Sequence, residues 1–350
     1  MNPPGGPPMG KGPAQDAGKR RGAGIALRVL LSGGILALLL FVVPWEQVRA
    51  AAAQMTILLY LMALAAYLGG HAVGAGKWRM VLGASGGGEL LSVRDTVGCY
   101  SSGLFANLFL PTVVGGDVLR AALAARALGR PEAVVLGSLA DRLIDTAALG
   151  LLIAGGVAFA GAEVAGWARP LTGMAVLVVI GTGFLVLPLV LRRPLARWPL
   201  RFRRRIGRAL VALRHLGRRP RAAVLALALS LIMQSVFVVV SARLGHAVGA
   251  DAPLWVWFVV WPLAKAAGML PVSLGGLGVR DAALTSLLLP FGVPAAYGLV
   301  ASLAWNAVLI GGTALAGVAA LIFRPGRRVP RAARFGGPGD CGNHASPTTQ

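Results

Sequence analysis

Long apolar runs, separated by short arginine-rich segments, dominate the chain. Seven of these runs are long enough to cross about 30 Å of hydrocarbon as helices. They are residues 25–43, 54–76, 133–160, 168–191, 222–245, 253–270 and 296–323. In lipid, a helix satisfies all of its backbone hydrogen bonds internally, so this pattern predicts an all-α, polytopic membrane protein.

Two further apolar stretches, 96–110 and 279–292, are marginal for a crossing because of their length. They are candidates for re-entrant or broken helices. If both ends of the chain lie on the same side, seven long crossings need one more. We expect 279–292 to provide it and 96–110 to dip into the membrane and return. The prediction is about eight crossings plus a re-entrant element.

The distribution of basic residues predicts the orientation of these spans. The segment 192–221 contains twelve arginines and no acid, which is typical of a cytoplasmic loop. Both termini are also basic, so we expect both to be cytoplasmic. We expect the protein itself to reside in the inner or plasma membrane of the cell. The basic loop 77–95, with Lys77 and Arg79, is predicted on the same side, and the loop near Asp251 outside.

Composition agrees with the membrane class and excludes others. The 350 residues are 56% hydrophobic and 13% charged, whereas soluble domains carry about 25% charged residues. The net charge of +22 lies in short loops and accompanies no nucleic-acid recognition motif. Neither the two cysteines nor the four histidines cluster as metal ligands do, so no cofactor and no nucleic-acid partner are predicted.

The chain divides into one membrane domain and two basic ends. Residues 1–24 and 324–350 are predicted to be disordered, and 25–323 form the transmembrane domain. Within the Arg-rich segment 192–221, residues 200–217 predict an amphipathic helix that binds anionic lipid headgroups at the cytoplasmic face. The alternative is a run of charge that only sets topology.

One motif occurs twice. "LPTVVGGDVLR" at 110–120 and "LPVSLGGLGVR" at 270–280 share the pattern L-P-x-x-x-G-G-x-x-x-R. Proline and paired glycines interrupt a helix, and the arginine should then lie about one turn into the restarted helix. A helix N-terminus and a guanidinium together favour an anion such as phosphate. Two interrupted segments at corresponding positions indicate that the chain has two repeat-like halves, with a transporter's binding site between them.

Other charges fall inside the apolar spans. Asp141 and Arg142 each lie about one helical turn before Asp145, deep in 133–160, and Lys265 lies in 253–270. Such charges are costly in lipid and therefore face protein or water. They indicate a functional site, or alternatively an internal ion-pair network. Trp255, Trp257 and Trp261 are predicted to form an aromatic belt at the outer interface.

Four segments of the chain resemble the membrane domain of lysylphosphatidylglycerol synthases, a flippase-like family. They are "GKWRMVL" (76–82), "NLFLPTVVGGDVLRAALAAR" (107–126), "SLADRL" (138–143) and "LPVSLGGLGVRDAAL" (270–284). The resemblance implies an inner-membrane domain with two re-entrant regions, which in full-length synthases is linked to moving a modified phospholipid between leaflets. Two departures are Thr112, where glycine is common, and Asp281, where glutamate is common.

The motif residues form the predicted substrate-binding site, and we expect no catalytic residue. The site consists of Asn107, Pro111, Gly115, Gly116, Asp117, Arg120, Asp141, Arg142, Asp145, Lys265, Gly275, Gly276, Arg280 and Asp281. No polar stretch is long enough for a soluble aminoacyl-transfer domain. We therefore expect a non-enzymatic lipid translocase whose arginines bind a lipid phosphate.

Two other functions remain open from the sequence. A membrane enzyme acting on polyprenyl-phosphate or aminoacyl-lipid substrates would use the aspartates as bases or metal ligands. An accessory scaffold would recruit a separate lipid-modifying transferase.

Overall fold

The computed structural model describes residues 45–85, 90–109, 115–160, 218–269, 277–324 and residue 326. All regular elements in these ranges are helical, which confirms the predicted all-α, polytopic class. The α-helices are α1 (Trp45–Ala53), α2 (Ile57–Ser85), α3 (Val93–Phe109), α4 (Gly115–Leu128), α5 (Pro131–Ala160), α6 (Pro220–Ala247), α7 (Leu254–Gly268), α8 (Val279–Leu288) and α9 (Ala295–Ile322). A 3-10 turn, Leu289–Phe291, follows α8.

Four of these helices are long and apolar enough to cross a membrane. They are α2, α5, α6 and α9, with 28 to 30 residues each, or roughly 42–45 Å of helix. The spans predicted at 25–43 and 168–191, the amphipathic segment 200–217 and most of both basic ends lie outside the described residues.

The first copy of the repeated motif connects two helices that pack as a hairpin. Helix α3 carries Gly103 and Asn107, and α4 returns alongside it. A Cβ added at Gly103 would lie 2.7 Å from both the Gly116 carbonyl oxygen and the Arg120 Cβ, so the two backbones touch here. Asn107 closes the hairpin, because its Oδ1 accepts the Gly116 backbone N–H at 2.9 Å. The stretch up to Phe109 is therefore one continuous helix, and the chain returns through α4; that this hairpin is re-entrant in the membrane stays a prediction.

The second copy also lies in a hairpin, and here the structure differs from the prediction. The stretches 253–270 and 279–292 were expected to cross separately, but α7 has 15 residues and α8 has 10. These lengths give about 22 and 15 Å, less than the hydrocarbon thickness. Trp255 stacks edge-on to Phe291, so the two helices run antiparallel.

Helix α2 continues into the predicted loop 77–95, as far as Ser85. Lys77 and Arg79 therefore lie in its last turns, and the prediction that they occupy a loop was wrong. The helix ends at Ser85, where the sequence continues into three glycines. The belt prediction was also wrong for Trp257 and Trp261, which are buried in the core between α6, α7 and α9.

Candidate functional site

A cavity of about 230 Å³ lies where the two hairpins meet the long helices. Every helix from α2 to α9 contributes to its wall. Four cationic and two acidic side chains line it: Arg120, Arg142, Lys265, Arg280, Asp117 and Asp145. Residues that the sequence spreads over 160 positions thus converge on one space, and both motif arginines reach it.

Arg120 is the most tightly held of these cations. Its Nη2 lies 3.3 Å from an oxygen of Asp117, in its own helix, and 3.3 Å from an oxygen of Asp141 on α5. The guanidinium also lies over the rings of Trp78 and Tyr100, with centroids at 4.8 and 5.1 Å. Carboxylates neutralise its charge, and the rings fix its orientation.

Arg142 lies at the more exposed edge of the cavity. Its Nη2 pairs with the second oxygen of Asp117, so this aspartate bridges two arginines from different helices. The Arg142 side chain is 37% exposed, against 7% for Arg120. The Asp117–Arg142 pair therefore connects the first hairpin to α5 at the cavity wall.

Behind the wall, Lys77 joins α2 to two carboxylates of α5. Its Nζ lies 2.9 Å from Asp141 and also pairs with Asp145. Ser230 of α6 completes the network, 3.0 Å from the lysine and 2.7 Å from Asp145. Asp141 faces this network instead of the cavity, in agreement with the alternative of an internal ion-pair network for that residue.

Lys265 is held differently, without a carboxylate. Its Nζ donates to the Gln234 side chain at 2.8 Å and lies 5.1 Å from the ring centre of Trp261. No carboxylate oxygen of the described residues lies within 4.0 Å of it. Within the described residues its neighbours are an amide and aromatic faces, which leave its charge available to a ligand.

Arg280 begins the second hairpin's return helix. Its Nη2 donates to Asn306 of α9, while its buried Nε has no hydrogen-bond partner in the described residues. Asp281 lies 3.9 Å from that Nε, but its oxygens already accept from Gly278 N–H, Ser302 and Asn306. Asp281 thus caps the helix and positions Asn306; it does not line the cavity.

The two motif arginines occupy different positions in their helices. Arg120 is the sixth residue of α4, as predicted, whereas Arg280 is the second of α8. The difference arises because α8 begins only at Val279, one residue before Arg280: Gly278 precedes it with φ +82°, and the Asp281 side chain caps this helix start. In α4 the helix already starts at Gly115.

The other predicted site residues are distributed as follows. Asn107 lines the cavity near the Gly115–Gly116 turn that begins α4. Pro111, Gly275 and Gly276 lie outside the described residues. The sequence reasoning missed four polar residues that hold the charged ones, Lys77, Ser230, Gln234 and Asn306. Three of them, Ser230, Gln234 and Asn306, are polar residues within apolar segments. This pattern is visible in the sequence and could have identified them.

The remaining wall of the cavity is apolar and aromatic. Tyr67, Phe237, Trp261 and Trp305 form a cluster with ring centres 5.6 to 6.2 Å apart. His71 joins it and contacts the Tyr100 hydroxyl at 3.2 Å. Leucines and isoleucine from α3 and α9 add to this wall: Leu104, Leu108, Leu309 and Ile310. The cavity is therefore amphiphilic, because charged and apolar side chains both line it.

Comparison with known proteins gives a family match. A family model described as lysylphosphatidylglycerol synthase TM region matches residues 25–317, which include all the charged residues of the cavity. Neither the curated proteins nor the solved structures provide a match. Within the described residues, no group of three or more His, Cys, Asp or Glu side chains is placed to hold a metal ion.

Proposed function

Since the chain belongs to the family of the lysylphosphatidylglycerol synthase TM region, a membrane family related to lipid modification or transport, we propose that it moves phospholipids between leaflets. The headgroup would enter the cavity and contact Arg120, Arg142 and Arg280. This proposal also takes the protein to reside in the plasma membrane with both termini in the cytoplasm.

The observation that carries the proposal is the convergence of four cations on an amphiphilic cavity inside a helical bundle. An intramembrane charge costs several kcal/mol unless it is paired or hydrated, so cations kept there indicate a ligand or a pathway. A phospholipid has the matching chemistry, because its phosphate suits guanidinium groups and its chains suit an apolar wall.

The pairing of the arginines supports movement over permanent capture. Arg120 and Arg142 are already neutralised by Asp117 and Asp141, which compete with an incoming phosphate. Competition limits how tightly a headgroup is held, and a transporter must release what it binds. The hairpins supply one motif arginine each, so a relative movement of the two halves would change access to the bound headgroup.

Lipid scrambling in liposomes tests the proposal. Purified protein is reconstituted with a fluorescent phospholipid, and dithionite reduction measures the fraction that reaches the outer leaflet over time. We expect wild-type protein to accelerate exchange and Arg120→Ala and Arg280→Ala to reduce the rate by tenfold or more, as roughly expected for the loss of a charge-assisted hydrogen bond. The matched control is Arg243→Ala, an exposed arginine of α6.

Two results would contradict the proposal. One is exchange by the wild-type protein no faster than in protein-free liposomes. The other is unchanged exchange by both cavity variants, provided that they elute as folded protein in gel filtration. A complex with a separate transferase whose activity survives both substitutions would instead favour the scaffold function.

A further inference from the structure

The charges around the cavity do not cancel. In and directly behind the wall are five cations and four carboxylates: Lys77, Arg120, Arg142, Lys265, Arg280, Asp117, Asp141, Asp145 and Asp281. With His71 neutral, the described set has one more positive than negative charge. An uncompensated charge in a low-dielectric interior is unfavourable, so a ligand that carries one negative charge completes the balance.

The compensation of these charges is uneven. Asp117 and Asp141 neutralise Arg120 and Arg142, and Asp145 pairs with Lys77. Lys265, in contrast, has no carboxylate oxygen within 4.0 Å in the described part of the chain.

Arg280 is the other weakly compensated cation of the cavity. It shares Asp281 with three other donors, and its buried Nε has no hydrogen-bond partner among the described residues. A buried donor without a partner is costly, and an anion's oxygen would satisfy it.

We propose that the cavity selects lipids whose headgroup is a phosphodiester with a net charge of −1, and that Lys265 and Arg280 hold the phosphate. This assignment rests on the proposed lipid-binding function and specifies the substrate class. The aromatic face of Trp261 beneath Lys265 fixes the ammonium, while the apolar wall takes the start of the acyl chains.

The net charge separates this class from related lipids. A lysylated phosphatidylglycerol carries two ammonium groups on one phosphodiester and has a net charge of +1, which would add to the excess. A phosphomonoester carries between about −1.5 and −2 at neutral pH and would overcompensate it. Phosphatidylglycerol, at −1, matches. Its chain-free counterpart, glycerophosphoglycerol, has the same charge but nothing for the apolar wall.

The test measures binding of short-chain lipids to the detergent-solubilised full chain by isothermal titration calorimetry. The ligands are dioctanoyl phosphatidylglycerol, its lysylated form, dioctanoyl phosphatidic acid and glycerophosphoglycerol. We expect phosphatidylglycerol to bind wild-type protein more tightly than each of the other three, by about tenfold or more. The variants are Lys265→Gln, Lys265→Arg and Asp117→Asn, with the exposed Arg243→Gln as control.

The count of charges around the cavity predicts how each variant should bind. Lys265→Gln loses about tenfold in affinity for phosphatidylglycerol, and Lys265→Arg and Arg243→Gln stay near wild type. Asp117→Asn adds one positive charge and shifts the preference toward phosphatidic acid. A general structural defect would weaken all ligands equally and would not reverse a preference.

The inference is overturned if Lys265→Gln binds phosphatidylglycerol as wild type does, or if wild type prefers the lysylated lipid or phosphatidic acid. Equal affinity for glycerophosphoglycerol would mean that the site takes a free phosphodiester, which overturns the assignment to a lipid. Failure of scrambling with intact, Lys265-dependent binding refutes only the proposed transport. Scrambling that is fully retained in Lys265→Gln refutes only this inference.

Discussion

Replacing Lys77 with methionine should destabilise the membrane domain more than any other single loss of charge in it. The lysine side chain is 2% exposed and pairs with Asp141 at 2.9 Å and with Asp145. Methionine fills similar space but leaves one carboxylate charge of α5 without compensation, since Arg120 can still neutralise Asp141. Removing one partner of a buried ion pair typically costs about 3–5 kcal/mol.

Thermal unfolding in detergent, followed by intrinsic fluorescence, measures the effect of this substitution. For a domain of this size, we expect the melting temperature to fall by roughly 10 °C. The matched control is Arg243→Met, which removes an exposed charge from α6 and should shift the melting temperature by no more than about 2 °C.

A second substitution separates charge from packing. Asp145→Asn in the Lys77→Met background restores the wild-type charge balance, because it removes the carboxylate that lost its lysine while Arg120 and Asp141 remain paired. The double variant should therefore be more stable than the sum of the two single effects predicts, with a coupling of about 1–3 kcal/mol. Strictly additive effects, or an unchanged melting temperature in Lys77→Met, would refute the view that this network compensates buried charge.

Three further predictions concern the hairpins and the topology. Gly116→Ala places a Cβ against Gly103 and Asn107 and should lower stability by about 1–3 kcal/mol in the same melting assay. The control, Gly155→Ala, places its Cβ in open space and should leave stability unchanged or slightly higher. Equal effects of the two substitutions would argue against close hairpin packing. Asn306→Ala removes partners of Arg280 and Asp281, so phosphatidylglycerol affinity should fall by about tenfold without a matching change at Gln54→Ala, an exposed amide outside the cavity, and unchanged affinity would sink the positioning role. After replacement of both native cysteines, Asp251→Cys should react with an impermeant maleimide in intact cells and Ser92→Cys only after permeabilisation; the reverse pattern would invert the proposed orientation.

Much of the fold could be predicted from the lengths of the apolar runs. The helices α2, α5, α6 and α9 fall within or around predicted spans, because a run of about 20 apolar residues has few stable alternatives in lipid. Short runs are ambiguous, since length alone does not distinguish a crossing from half of a hairpin. This ambiguity explains the different outcome for 253–270 and 279–292, whose helices are short and pack on each other.

The site was partly accessible for a related reason. Arg142 and Lys265 are conspicuous as charges in apolar runs, and Arg120 and Arg280 as the arginines of the repeated motif; the structure brings all four to one cavity. Lys77 was misassigned to a loop because a basic residue near the end of a span is typical of a cytoplasmic flank. Its two acidic partners are more than 60 positions away, and no local pattern indicates such a pairing.

The sequence alone determined that this is a helical membrane protein and which segments interrupt their helices. These properties are local, because they depend on the transfer free energy of a segment and on the backbone preferences of proline and glycine. Only the tertiary structure decided which charges are compensated. It pairs Arg120 with Asp141 and leaves Lys265 without a carboxylate within 4.0 Å in the described residues, because compensation depends on distances between helices.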